Sequence, residues 1–511
     1  MGFSIISCRL SLAAAAVSAK WIVPGARWRD TNGDLISAHA GSVTVEKDAG
    51  KFFWFGEYKV EGQVEGGGVS VYSSDDLVTW EHHGLALKPI KGHPYIDPKN
   101  IIQRPKVVYS EGTGKYHMWW HADNSTYGLL LQGFAQSDNI TGPYSFVDAT
   151  KPLGNWSQDF GMFTDYKDGR SYALYSNGDS KEGRDVYLSS YNDNVTALET
   201  VVHRFDKYDL EAPSIVQTDD SYFALMSHKT GYRPNSKTKF NLEKTTIPTA
   251  NMPKDVVAFR ASSLAGPWSQ PFPIAPLGTR TFNSQSGFAL RIAGTKQTTH
   301  LYLGDQWDSN ALWESRYIWL PMRISESQQS LALEWHDVYD LDMATGIVTP
   351  ISGTTYYASN ASTQQQGDAF LQEANFASNQ LIATGIHGND STLTFTHVVG
   401  AGQPQWVSFY YQNTDDMGFG DQPGGSPDRI GGPWQLRRIS SVVVNGRTEA
   451  METLFQRDTN KGVLLSTPLL LNLDEGINEI RIGGLSNHVT VKGADIDRIV
   501  VYPPEGVAGL R

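Results

Sequence analysis

Glu211 stands in Tyr208-Asp209-Leu210-Glu211-Ala212-Pro213-Ser214-Ile215-Val216-Gln217, a lone carboxylate among apolar residues in a strand-like stretch. A carboxyl dried by apolar neighbours keeps its proton to higher pH than a solvated one. Pro213 stiffens the strand that aims it. Such a group suits proton donation to the departing oxygen of an acetal, as in glycosidic bond hydrolysis, where a second group works across the sugar ring. Asp159, in Ser157-Gln158-Asp159-Phe160-Gly161, is a candidate neighbour. Its charge near Glu211 would raise the donor's pKa and orient sugar hydroxyls. Glu57 ends the aromatic run Trp54-Phe55-Gly56-Glu57 and could bond hydroxyls too. Each has a plainer alternative: Glu211 as an exposed rim glutamate, Asp159 as a turn cap, Glu57 as the partner of a nearby lysine.

Aromatic rings stack on the apolar faces of sugars, and Trp119, Trp120, Tyr127 and Trp307 are candidate platforms. Packing between sheets is the competing use of each. The histidines, among them His117, His121 and His228, are scattered without zinc-site spacing, and no nucleophile elbow or phosphate loop stands out.

The elements that must carry these residues repeat. Lys51–Gly56, Lys115–Trp120, Ser171–Ser176, Ser221–Met226 and His300–Gly304 are aromatic-rich strands, most of them fed by a turn of Gly, Asp or Asn type. A second unit recurs as Ser73-Ser74-Asp75-Asp76-Leu77-Val78-Thr79-Trp80, Gln136–Tyr144 and Ala261–Trp268. Five strand units at intervals of about 50 to 80 residues predict a five-bladed β-propeller, with an irregular β-sandwich as the alternative. In a propeller the innermost strands converge on the axis, so a polar residue there is a site candidate.

The chain has 511 residues, too many for one ordinary domain. After the Gly/Thr/Ser/Pro stretch around 345–355, segments such as Gln405–Tyr410, Ser441–Val444 and Asp495–Tyr502 alternate with period two, the pattern of a second, β-sandwich domain. The expected layout is a propeller over 20–348, a linker over 349–355 and a sandwich over 356–504. Residues 1–19 read as a secretory signal ending in Val17-Ser18-Ala19 and containing the single cysteine, Cys8. Sequons at Asn124, Asn139, Asn155, Asn194, Asn360 and Asn389 fit a secreted glycoprotein. The net charge of -12 disfavours nucleic acid and acidic membranes as partners, and no later stretch is apolar enough to span a bilayer. A monomer acting on a neutral polysaccharide is expected.

The ordered motifs Ala38-His39-Ala40-Gly41, Trp54-Phe55-Gly56-Glu57, Arg104-Pro105-Lys106-Val107, Leu210-Glu211-Ala212-Pro213, Ser284-Gln285 and Ser315-Arg316-Tyr317-Ile318-Trp319 resemble glycoside hydrolase family 43, in its exo-β-1,3-galactanase branch. The tail, ending in Ala494-Asp495-Ile496-Asp497-Arg498-Ile499, resembles a family 35 carbohydrate-binding module. The resemblance implies an inverting, cofactor-free hydrolysis. Glu211 matches the general acid, Asp159 the pKa-modulating aspartate, and Gln285 the glutamine assigned the base's role where the first strand lacks an aspartate. It implies substrate binding by Glu57, Gln103, Arg104, Tyr127, His228, Thr230, Asp305 and Trp307. Two departures stand out. Gln103 replaces a family glutamate, which opens a reading as a catalytically impaired glycan-binding protein, beside an arabinofuranosidase or xylosidase of the same family. In the tail, Tyr357 and Ser359 stand where glutamates hold structural calcium, although Asp497 remains.

Overall fold

The computed structural model describes residues 20–46, 50–59, 61, 67–177, 185–206, 208–228, 256–308, 311–388, 390–414, 438–484 and 493–505. The expected signal over 1–19, with Cys8, lies outside them, as do Thr230 and Asn389.

The described chain is almost wholly β. Five four-stranded antiparallel sheets follow one another in sequence, each built from four consecutive strands. Their first strands are His39–Val45, Ile101–Ser110, Gln158–Thr164, Leu210–Gln217 and Gln285–Ala293. Each first strand contacts the next, and the fifth contacts the first. Apolar clusters follow the same circuit. Phe55 and Trp120 share one, Trp119 and Tyr175 another, and Leu188 and Phe259 a third. Leu225 and Leu320 share the fourth, and Trp319 returns to Trp54 in the fifth. The sheets are therefore packed in a closed ring. This explains why strands such as Phe52–Glu57 and Leu210–Gln217 are buried along their whole length instead of alternating: both faces meet a neighbouring sheet. The fourth strand Ser145–Thr150 lies mostly in solvent.

The recurrent turn is a structural device joining third and fourth strands. Asp76 Oδ1 accepts the Val78 and Thr79 amides at 2.9 and 2.6 Å. The closing aromatic of each copy then hydrogen-bonds a carbonyl three or four residues back: Trp80 to Leu77, Tyr144 to Ile140, Trp268 to Leu264.

Strand pairing reaches into both ends of the stretch expected as a linker, 349–355. Val348–Pro350 pairs with Tyr339–Leu341, and Thr354–Tyr357 already pairs with Asp495–Val501. The tail forms a six-stranded and a five-stranded sheet. Their inner residues, such as Phe409, Ile496, Phe395 and Ile482, belong to the same apolar cluster as Phe282, Tyr302 and Leu320. The tail thus packs directly on the fourth and fifth sheets of the ring.

Candidate active site

Each of the five first strands breaks register with its partner once, between His39 and Ser42, Gln103 and Lys106, Gln158 and Phe160, Glu211 and Ser214, and Ser286 and Phe288. In four of them the residue at the break is left-handed: Ala40 (φ 48°), Arg104 (54°), Asp159 (52°) and Ala212 (55°). A non-glycine residue held so costs about 1–2 kcal/mol, and such bulges re-aim side chains near active sites. At the first break Gly41 is required, because a Cβ there would lie 1.6 Å from the Phe55 carbonyl oxygen.

The breaks deliver one polar network. Arg104, 4% exposed, is its centre. Its Nε pairs with Asp159 Oδ1 at 3.1 Å, its Nη2 donates to Gln285 Oε1 at 2.5 Å, and its Nη1 donates to the Ser286 carbonyl at 2.9 Å. Burial opposes its charge, but Asp159, then Glu57, Glu211 and Asp305, outweigh that and raise its pKa above the ordinary arginine value. Asp159 Oδ2 accepts the Ala212 amide at 2.9 Å, which ties it to the residue after Glu211. Gln285 Nε2 donates to Glu211 Oε1 at 3.1 Å and to Ser227 Oγ at 3.3 Å, while Trp307 Nε1 donates to Gln285 Oε1 at 3.0 Å. The Gln285 amide thus makes two hydrogen bonds as acceptor and two as donor, its full capacity.

Glu211 is 6% exposed and so is not a rim glutamate. Glu57 is committed twice: Oε1 accepts the Arg104 amide at 3.0 Å and Oε2 pairs with Lys59 Nζ at 2.9 Å. The lysine partner foreseen as its plainer role is therefore present. Asp305 accepts from the Ala40 amide at 3.0 Å and lies 3.2 Å from His39 Nδ1, so it holds the first strand's break. Gln103 joins a separate chain: Nε2 donates to the Tyr127 hydroxyl at 3.1 Å, and Oε1 lies 3.2 Å from His121 Nδ1, whose Nε2 is 3.1 Å from Asp123.

Lys106 escaped the sequence reading as a site residue. It is 1% exposed, and its Nζ donates to the carbonyls of Ala40 and Arg104 at 2.8 and 3.2 Å, bridging two breaks. Its one signal is a lysine two places after Arg104 in a strand that is otherwise buried around it. Ser227 and Ser286 were equally silent, since serine in a strand is common.

Two of the expected sugar platforms part from the structure. Trp119 stacks on Phe134 at 4.4 Å and Trp120 is fully buried, so both are packing residues, not sugar platforms. Trp307 is also buried and serves Gln285 through its indole N–H. His228 pairs through its backbone with Leu210 in the fourth sheet, and its side chain lies outside the description. Among the described residues of the tail, Asp497 is already engaged: it accepts the Ser378 amide and hydroxyl at 2.8 and 2.7 Å and pairs with Arg498 at 2.5 Å. A carboxylate already facing a guanidinium, with neutral Tyr357 and Ser359 in place of glutamates, is a poor site for a hard dication.

The segment entering Gln285 is also unusual. Arg280, Thr281, Phe282 and Asn283 are all left-handed, with φ of 54°, 49°, 59° and 55°. All four are buried.

The model of the Glycosyl hydrolases family 43 matches residues 46–286. The exo-β-1,3-galactanase of Phanerochaete chrysosporium, solved with galactose, is 32% identical over 94% of this chain and all of its own, with a TM-score of 0.79. A Glu→Gln variant of the same enzyme was solved with β-1,3-galactotriose. A putative exo-β-1,3-galactanase of Bifidobacterium bifidum is 27% identical, with a TM-score of 0.53; 97% of its chain matches 62% of this one. No curated protein matches the sequence.

Proposed function

Because the chain belongs to glycosyl hydrolases family 43 and is a glycosidase, we propose that it is a secreted, inverting exo-β-1,3-galactanase that releases galactose from the β-1,3-galactan backbone of type II arabinogalactan. The observation that carries this reading is the placement of Glu211. It is buried, hydrogen-bonded to Gln285, and one residue from the amide that anchors Asp159, in a chain 32% identical to an exo-β-1,3-galactanase along nearly its full length. On this reading the ring of five sheets is a five-bladed propeller and the tail a β-sandwich carbohydrate-binding module.

Glu211 accepts from Gln285 through Oε1, and on this reading its carboxyl is the group that passes a proton to the glycosidic oxygen. Transfer of the Glu211 proton to the glycosidic oxygen breaks the bond at the anomeric carbon as water attacks from the opposite face, giving the inverted sugar. The proton the water loses passes to a base, the role the resemblance gives Gln285, and on to solvent, from which Glu211 regains its proton. The oxygen of Gln285 is held by both Arg104 and Trp307. For Gln285 to accept the water's proton, one of them must let go. In the arrangement described, Gln285 orients the acid.

The test is incubation with β-1,3-galactan while the anomeric form of the first product is followed by NMR. α-Galactose is expected. First-formed β-galactose overturns inversion, and absence of galactose overturns the substrate. A panel with arabinofuranosides and xylosides separates the sister specificities. A second reading, a glycan-binding protein with weak turnover, is favoured by Gln103, which stands where the resemblance places a glutamate.

A further inference from the structure

We infer that Arg457 and Asp458 of the tail are positioning residues for the catalytic site, so that the appended sheets form part of its working frame. The inference rests on the reading above, in which Gln285 and Trp307 belong to that site.

The segment 457–460 directly follows the strand Glu452–Gln456 of the five-stranded sheet. Gln456, Arg457, Asp458 and Thr459 are all buried polar residues. The segment is fixed to its own side: the Arg457 amide donates to the Tyr411 hydroxyl at 2.9 Å, and Asn413 Nδ2 donates to the Gln456 carbonyl at 3.0 Å.

On the other side it grips the two stretches that carry the site. Arg457 Nε donates to Gln306 Oε1 at 2.9 Å, and Nη1 donates to the carbonyl of Trp307, also at 2.9 Å. Gln306 passes the contact on, its Nε2 donating to the Phe282 carbonyl at 3.0 Å. Asp458 forms a buried ion pair with Arg280, and its carbonyl accepts Asn283 Nδ2 at 2.9 Å. Asn460 Oδ1 accepts Arg280 Nη2 at 3.0 Å. These contacts fall on the left-handed run 280–283, which leads into Gln285, and on Gln306–Trp307, whose indole holds the Gln285 oxygen. Beside them Asn460 Nδ2 donates to the Gly278 carbonyl at 2.6 Å, and Arg457 Nη2 lies 3.9 Å from Asp308.

A left-handed run of four non-glycine residues persists only when its surroundings over-determine it. Here the tail supplies that constraint. Plain adhesion between the two parts is already provided by apolar packing and does not call for a buried guanidinium hydrogen-bonded to a backbone carbonyl. Arg457 also borders a cavity of about 420 Å³ shared with Gln306, Arg316, Trp28, Trp406 and Phe455. Truncating Arg457 therefore opens into existing space instead of leaving a new sealed void.

The experiment compares wild type, Arg457→Ala, Arg457→Lys and a control, Arg27→Ala, on β-1,3-galactobiose, a substrate too short to need a separate binding module. Arg27 lies over Phe455 of the tail at 5.3 Å and does not contact the clamp. For Arg457→Ala, kcat falls at least about tenfold with KM within about threefold, as expected when reacting groups are misplaced but substrate contacts remain. Arg457→Lys, which keeps charge without the fork, recovers part of the loss, and Arg27→Ala matches wild type. In parallel, amide hydrogen exchange of 280–288 and 306–307 quickens in Arg457→Ala. Unchanged kcat overturns the inference, whatever the exchange shows, and so does unchanged exchange. If Arg457→Ala does not fold, Arg457→Lys decides by the same two readouts. If wild type leaves galactobiose intact, the galactanase reading fails, and the exchange measurement alone decides the clamp.

Discussion

Gln285 donates its amide to Glu211 across 3.1 Å while its oxygen is held by Arg104 at 2.5 Å. One neutral side chain thus links the proposed acid to the guanidinium that pairs with Asp159. A neutral linker lets the cation and the acid sit close without forming the direct ion pair that would strip the acid of its proton.

Removing the proton while keeping the shape is the first test. In Glu211→Gln, galactose release should fall by about 10²- to 10⁴-fold, the usual worth of a general acid. Binding of β-1,3-galactotriose, measured by calorimetry, should persist. Release at the wild-type rate would remove Glu211 from the donor role.

Charging the linker is the second. Gln285→Glu keeps acceptors for Arg104 and Trp307 but sets a carboxylate oxygen where Nε2 now donates to Glu211. A negative neighbour raises the pKa of an acid, so the alkaline limb of the kcat/KM profile should move to higher pH. A limb that stays put or moves down contradicts the contact.

At Gln103 the change adds a charge. Gln103→Glu keeps the reach to Tyr127 and His121 and restores the carboxylate expected from the family resemblance. Turnover on β-1,3-galactan should rise, by at least about tenfold if general acid catalysis regains its usual leverage. A variant no faster than wild type would mean that Gln103 does not limit the chemistry.

Lys106 gives a prediction about stability. Burial first, and then the positive charge of Arg104, push its pKa well below the ordinary lysine value. Between its folded pKa and about 10.4 the unfolded chain binds a proton that the folded chain has released, so stability rises with pH. The cost of Lys106 is therefore full below its folded pKa and fades above it. In urea melts, the stability difference between wild type and Lys106→Met should shift toward wild type on going from about pH 7 to about pH 10. An unchanged difference would place Lys106 in a wetter site than its 1% exposure implies.

Much of this architecture was legible because its signals are local. Polar turns before aromatic strands, and the aromatic that closes each outer turn, depend on a few adjacent residues. Glu211 and Asp159 were legible as charges in strand-like surroundings. What the sequence concealed were relations across distance. Trp119 and Trp120 read as sugar platforms because an aromatic's role depends on which sheet lies against it, and here that is Phe134 and the core shared with the first sheet. Lys106 was overlooked because its partners are carbonyls, which every residue has. Arg457 lay more than 150 positions from Gln306, in a segment whose pattern spoke only of the tail.

The break repeated in each innermost strand has one more consequence. Because the breaks recur on first strands that contact one another in turn, the side chain at each can differ while the surrounding sheet keeps its form. The break at Ala40 carries only a methyl group, and the one at Gly287 not even that, while charge is gathered at Arg104, Asp159 and the neighbour of Ala212. A scaffold of this kind can differ from sheet to sheet by the single residue at each break, and Ala40, packed with Trp307 and Leu312, fills its place with the smallest side chain.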